Sequence, residues 1–119
     1  MQRLAWLAYL FADVIGVLVF CAVGRRSHAE GLTIAGVAST AWPFLTGTAV
    51  GWLTARAWQR PTAVVPTGLV VWLSTVLIGM VLRKVSSAGV AASFVLVAAV
   101  VTAVLLLGWR AAVGLAGRA

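Results

Sequence analysis

Acidic side chains are scarce in this chain. Asp13 and Glu30 stand alone against nine Lys and Arg, and there is one Cys, one His and one Tyr in 119 residues. Each shortage removes a class of function. A single cysteine, Cys21, excludes an internal disulfide and any multi-cysteine metal site. One histidine, His28, beside one acid in a connector falls short of the three or four ligands that a zinc site needs. No nucleophile, base and oxyanion-stabilising set is legible either. The chain therefore reads as non-enzymatic, with no cofactor and no metal expected. Polar surface is missing too: 63% of the residues are hydrophobic, 9% are charged and the mean hydropathy is +1.10. A soluble fold of this size would lack the polar side chains to cover itself, and a bilayer is the solvent that fits.

What is present is long apolar runs. A hydrocarbon core of about 30 Å takes about 20 helical residues to cross. Four runs qualify: Leu4 to Val23, Thr33 to Leu53, Ala63 to Leu82 and Val90 to Trp109. The expected fold is all-α, an integral membrane bundle of four transmembrane helices at about 4–23, 33–53, 63–82 and 90–109, forming one domain over 1–119. The connectors are short and basic, as headgroup-facing flanks are, and this placement argues against nucleic-acid binding. Both termini are expected on one side of the bundle. The first run is too long for a cleaved signal and lacks a small-residue cleavage pattern, so it is read as retained.

The first run carries Asp13 near its centre. Steps of three and four residues place Trp6, Tyr9, Gly16 and Phe20 on the same face, which should point inward. Two roles stay open for Asp13. One is a proton- or ion-binding carboxylate, with Tyr9, Thr40 and Thr75 as the accompanying candidates. The other is a structural carboxyl hydrogen-bonded to Thr40, Thr46, Thr75 or a tryptophan indole. No basic residue falls inside the four runs, so a buried ion pair is not expected unless Arg83 reaches inward.

Helix packing is read from small residues. In the second run Gly36, Thr40, Gly47 and Gly51 share a face, and Gly47 with Gly51 form a small-xxx-small pair. Pro43 removes one backbone hydrogen bond, frees the carbonyl of Ser39 and should kink the helix opposite Asp13. In the third run Pro66 suits a first helical turn, and Gly68, Trp72, Thr75, Gly79 and Arg83 line one stripe. The fourth run, with Ser93 and Thr102 its only polar residues, should be the most lipid-exposed, ending at an interface with Trp109 and Arg110. Trp6, Trp52, Trp58 and Trp109 read as an interfacial belt, and Trp42 and Trp72 as bundle filling. Cys21 reads as packing.

Arg25, Arg26, His28, Arg83 and Lys84 fall in the first and third connectors, on one side of the membrane. They form an anionic lipid or head-group candidate, or else flanks that snorkel without selectivity. The opposite side carries Arg3, Arg56, Arg60, Arg110 and Arg118, five against four, so the charge rule scarcely orients the chain. Opposed copies pairing as an antiparallel dimer are compatible with that balance.

Asp13, Gly24-Arg25-Arg26-Ser27-His28, Trp42-Pro43-Phe44, Gly51-Trp52, Thr75, Gly79-Met80, Leu82-Arg83 and Gly108-Trp109-Arg110 together resemble the small bacterial and archaeal membrane proteins grouped as domain of unknown function 3054. The resemblance implies a four-helix membrane protein and assigns no activity. A multi-pass protein of a bacterial cytoplasmic membrane is expected. Its expected partners are membrane lipids and either a second copy of itself or another membrane protein. The expected function is structural or accessory, binding partner helices or lipids, and the alternative is a small oligomeric proton- or cation-coupled transporter or channel using Asp13.

Overall fold

The computed structural model describes residues 4–27, 33–86 and 92–118, leaving aside the side chains of residues 25–27, 92, 117 and 118. Four helices account for nearly all of it: α1 Ala5–Ser27, α2 Ile34–Ala55, α3 Leu69–Val85 and α4 Ala92–Arg118. A short kinked stretch, Val64–Gly68, leads into α3, with Val65 extended at φ −121° and Pro66 behind a cis Val65–Pro66 bond. Local chemistry sets the ends of α2. Thr33 caps its start by accepting from the Gly36 N–H at 2.9 Å, and Arg56 ends it in a left-handed conformation at φ 51°. The helix continues through Pro43, inside a single element.

Neighbouring helices run antiparallel, as paired contacts show. Asp13 meets Trp52 while Phe20 meets Phe44, so α1 and α2 are opposed. Thr48 meets Thr75 across α2 and α3, Trp72 meets the Ala99 carbonyl across α3 and α4, and Asp13 meets Arg110 across α1 and α4. The helices thus form a closed ring in chain order, with α1 opposite α3 and α2 opposite α4. One end of the bundle collects the start of α1, the end of α2, the start of α3 and the later part of α4. The bundle measures 41 × 26 × 25 Å, long enough to cross a hydrocarbon core of about 30 Å.

The α2–α3 seam is the tightest. A Cβ on Gly47 would come within 2.5 Å of the Ser74 carbonyl oxygen, and one on Gly51 within 2.8 Å of the Val71 Cα. Gly79 is occupied in the same sense by the Phe44 ring. The missing side chains let the backbones touch, and hydroxyls then reach across: Ser74 Oγ donates to the Gly47 carbonyl at 2.7 Å, and the Thr48 and Thr75 hydroxyls share a hydrogen bond of 2.7 Å. Toward the far end, Phe20, Phe44 and Phe94 from three helices pack with centroids 5.4 to 6.3 Å apart.

Three stretches are long and apolar enough to cross a membrane: Ala5–Gly24, Val64–Val85 and Ser93–Ala116. The α2 helix is not one of them, although its 22 residues match them in length. Its threonines, glycines and Pro43 lower its apolarity, and Gly47, Thr48 and Gly51 among them form the α2–α3 seam. Bulky side chains point outward along the other three helices, for example Leu7, Phe11, Ile15 and Val19 on α1 and Leu73, Leu77, Val81 and Val85 on α3. That spacing of four makes continuous apolar stripes, far larger than soluble surfaces normally leave open.

α1 and α4 are the more outward-facing helices, with 22% of each apolar window buried against 33% for Val64–Val85. Two expectations change here. The fourth helix does not end at Trp109 and Arg110, since helical structure continues through the apolar stretch Ala111 to Ala116 and on to Arg118. Pro43 is not opposite Asp13. It precedes Trp52, the α2 partner of Asp13, by nine residues, about 13 Å along the helix, and lies beside Phe44 instead.

Candidate functional site

Asp13 lies on the inner face of α1, fully buried. Its carboxylate is met by four donors from two other helices. Arg110 spans both oxygens, with Nη1 donating to Oδ1 at 2.8 Å and Nη2 to Oδ2 at 2.6 Å. The Trp109 indole donates to Oδ1 at 2.9 Å and the Trp52 indole to Oδ2 at 2.7 Å. Each oxygen therefore accepts two hydrogen bonds, one charged and one neutral. Arg110 is itself fully buried. Its Nε donates to the Pro61 carbonyl at 2.8 Å and Nη1 also to the Leu106 carbonyl at 3.0 Å, while its guanidinium lies 4.4 Å from the Trp109 ring centroid.

Aromatic side chains close the surroundings. Tyr9, one turn before Asp13, stacks on Trp109 with centroids 5.6 Å apart and planes 3° from parallel. Trp6, a further turn back, packs on Trp52 at 6.3 Å. These rings keep water from the pair. Exclusion of water strengthens the attraction but also raises the desolvation penalty, which is recovered only when the geometry is good and the remaining lone pairs are bonded. Both conditions hold here: the contact is bidentate, and no buried side-chain nitrogen or oxygen among the described residues lacks a partner. Among the described residues, no group of three or more His, Cys, Asp or Glu converges. The chemistry on offer is that of a closed ion pair.

This overturns the expectation that no base reaches Asp13. The base is Arg110, not Arg83, whose guanidinium rests 4.5 Å over the Phe94 ring. Of the hydrogen-bond partners foreseen for Asp13, the indole is the kind present, supplied by Trp52 and Trp109. These two rings are consequently not members of an interfacial belt. Thr40 is twelve residues before Trp52 on α2, about 18 Å away along the helix axis, and Thr75 is engaged with Thr48 and the Val71 carbonyl. Neither thriftily placed hydroxyl is brought to Asp13, whereas Tyr9 is brought close through its stack on Trp109.

The other candidates are dispersed. Gly47, Gly51, Gly79 and Pro43 are buried, whereas Gly36 sits half-buried in the first turn of α2. Lys84 is exposed and Arg83 half-buried near the end of α3; the side chains of Arg25 and Arg26, and all of His28, lie outside the described residues. Trp42 faces outward at 44% exposure rather than filling the bundle, and Trp72 is half-buried, donating to the Ala99 carbonyl at 3.0 Å. Cys21 is buried in the cluster around Phe20 and Phe44.

Arg110 escaped the sequence reading because Trp-Arg after a Leu run looks like a helix reaching the headgroups. The signal that would have found it is the stretch after it. Ala111 to Ala116 is apolar, so Arg110 stands well inside a helix and not at its end. An acid in one span and a base in another then call for each other.

The family model described as a protein of unknown function, DUF3054, matches residues 10–113 of this chain. The chain belongs to that family, and the match takes in Asp13, Trp52, Trp109 and Arg110. No curated protein and no solved structure matches it.

Proposed function

We propose that this member of a family of unknown function is a multi-pass protein of the cell membrane with a structural or accessory role, binding partner helices or lipids through its outer apolar faces and catalysing no reaction. The observation that carries the reading is the closed shell of four donors around Asp13. A carboxylate that carries a proton or cation through a membrane needs an open position and a route to water. Here the guanidinium takes the position that a transported cation would occupy, and the indoles take the remaining lone pairs. An acid held this way fastens α1 to α2 and α4.

The competing reading is a small oligomeric transporter or channel working through Asp13, supported by the general association of ionisable groups inside membrane helices with ion pathways. Purified protein in liposomes separates the two. The structural role predicts that neither a pH gradient nor a cation gradient drives flux above that of empty vesicles, for the wild type and for Asp13→Asn alike. Flux in the wild type that Asp13→Asn abolishes would replace the accessory reading with the transporter.

A further inference from the structure

The segment that joins α2 to the kinked stretch before α3 carries an arginine on each side of a tryptophan: Arg56, Ala57, Trp58, Gln59, Arg60. It is built as consecutive tight turns. Ala57 N–H donates to the Trp52 carbonyl, Gln59 N–H to the Arg56 carbonyl, Arg60 N–H to the Ala57 carbonyl and Ala63 N–H to the Arg60 carbonyl, at 3.0 to 3.3 Å. Ala57 is fully buried, and the Pro61 carbonyl is held from below by Arg110 Nε. The core thus fixes this segment at two points, while Arg56, Trp58 and Arg60 are left exposed.

Arg56 adds an independent observation. It occupies the left-handed position just past the end of α2, where glycine is the ordinary residue because a Cβ is disfavoured. An arginine kept in a conformation that glycine would hold more cheaply points to a use for its side chain. No acid lies close in sequence to Arg56 and Arg60, and the one acid among the described residues, Asp13, is taken by Arg110.

From these features we infer that Arg56 and Arg60 form a docking site for the phosphate of an anionic phospholipid headgroup, with Trp58 seated in the interface beside it. Guanidinium groups match phosphate oxygens in a bidentate fashion, and the exposed indole suits the headgroup level. The site is at the end of the bundle opposite Arg83 and Lys84. It rests on the membrane reading given above and names the lipid class.

Full-length protein in phosphatidylcholine vesicles containing a minor fraction of brominated lipid tests it. The Trp58 signal is taken as the difference between wild type and Trp58→Phe. Brominated phosphatidylglycerol is expected to quench that signal about thirtyfold more effectively than brominated phosphatidylcholine at the same fraction, the enrichment that about 1 kcal/mol from each of the two arginines gives. Arg60→Gln should lower the ratio, and Lys84→Gln, at the other end, should leave it unchanged. Arg56→Gly separates binding from folding, because it should hold or raise the melting temperature while lowering the ratio. Equal quenching by both lipids, a ratio insensitive to Arg56→Gly and Arg60→Gln, or an equal fall with Lys84→Gln overturns the site. Loss of the preference on adding inorganic phosphate also overturns it, in favour of a free anion as ligand. No quenching by either lipid would instead remove the membrane reading on which the site rests.

Discussion

Two seams of this bundle are held by opposite means. Between α2 and α3 the side chains are absent: Gly47 and Gly51 bring backbone against backbone, and hydroxyls bond over the short remaining distance. Between α1 and α4 a charge pair does the fastening, with Asp13 and Arg110 97 residues apart in sequence. The glycine seam relies on shape, and its strength comes from many small dispersion contacts. The charged seam concentrates its strength in one place, where any single deletion leaves a buried group stranded.

The largest effect should follow from stranding the acid. Arg110→Met leaves the Asp13 carboxylate buried with two indoles and no counter-charge, at an expected cost of about 3–5 kcal/mol. Reversible unfolding in mixed micelles would measure it. Adding Asp13→Asn to that variant should recover much of the loss, since removing both members of a buried pair costs far less than removing one. Strictly additive losses would mean that the pair is not coupled, and the contrast between the seams would fail.

Next in size is overpacking of the glycine seam. Gly47→Leu should cost about 1–3 kcal/mol or prevent the α2–α3 pairing, because the backbone of α3 cannot give way as a flexible side chain could. Even Gly47→Ala should lower the melting temperature, given the 2.5 Å approach to the Ser74 carbonyl oxygen. A tolerated leucine at this position would place the seam elsewhere.

A smaller loss is expected where the two threonines meet. Thr48→Val should cost about 0.6 kcal/mol, the average for hydrogen bonds between membrane helices, and Thr75→Val combined with it should add little because the bond is already broken. A double-mutant cycle in the same micelles reads this directly.

The smallest change should have the opposite sign. A Cβ at Gly108 or Gly114 meets nothing within 4 Å. Alanine at either position should therefore raise stability by up to about 1 kcal/mol through helix propensity alone. A loss there would reveal an outer partner against α4.

Much of this was legible in advance, and for different reasons in each seam. The glycine spacing on α2 is a local pattern, four residues apart on one helix, and needs no knowledge of what lies across from it. The inward face of Asp13 was legible the same way, from the steps to Tyr9 and Gly16. Arg110 was not, because an arginine beside a tryptophan after an apolar run has the appearance of an interface. Only the continuation of α4 through Ala111 to Ala116 contradicts that appearance. Trp52 and Trp109 were misplaced along with it, since an indole at a helix end serves equally as an interfacial anchor or as a buried donor.

Composition and periodicity by themselves determined an all-helical chain, with stretches apolar enough for a bilayer and an acid turned inward. Those properties are summed over residues or repeated along a helix, so the chain states them without reference to any distant part of itself. Which base meets the acid was decided only in three dimensions. The antiparallel ring places the middle of α1 beside the later part of α4, and the closed end leaves no water to compete for either charge. A pairing between residues 97 positions apart depends on the relative rotation and depth of two helices, and that is set by packing across the whole bundle.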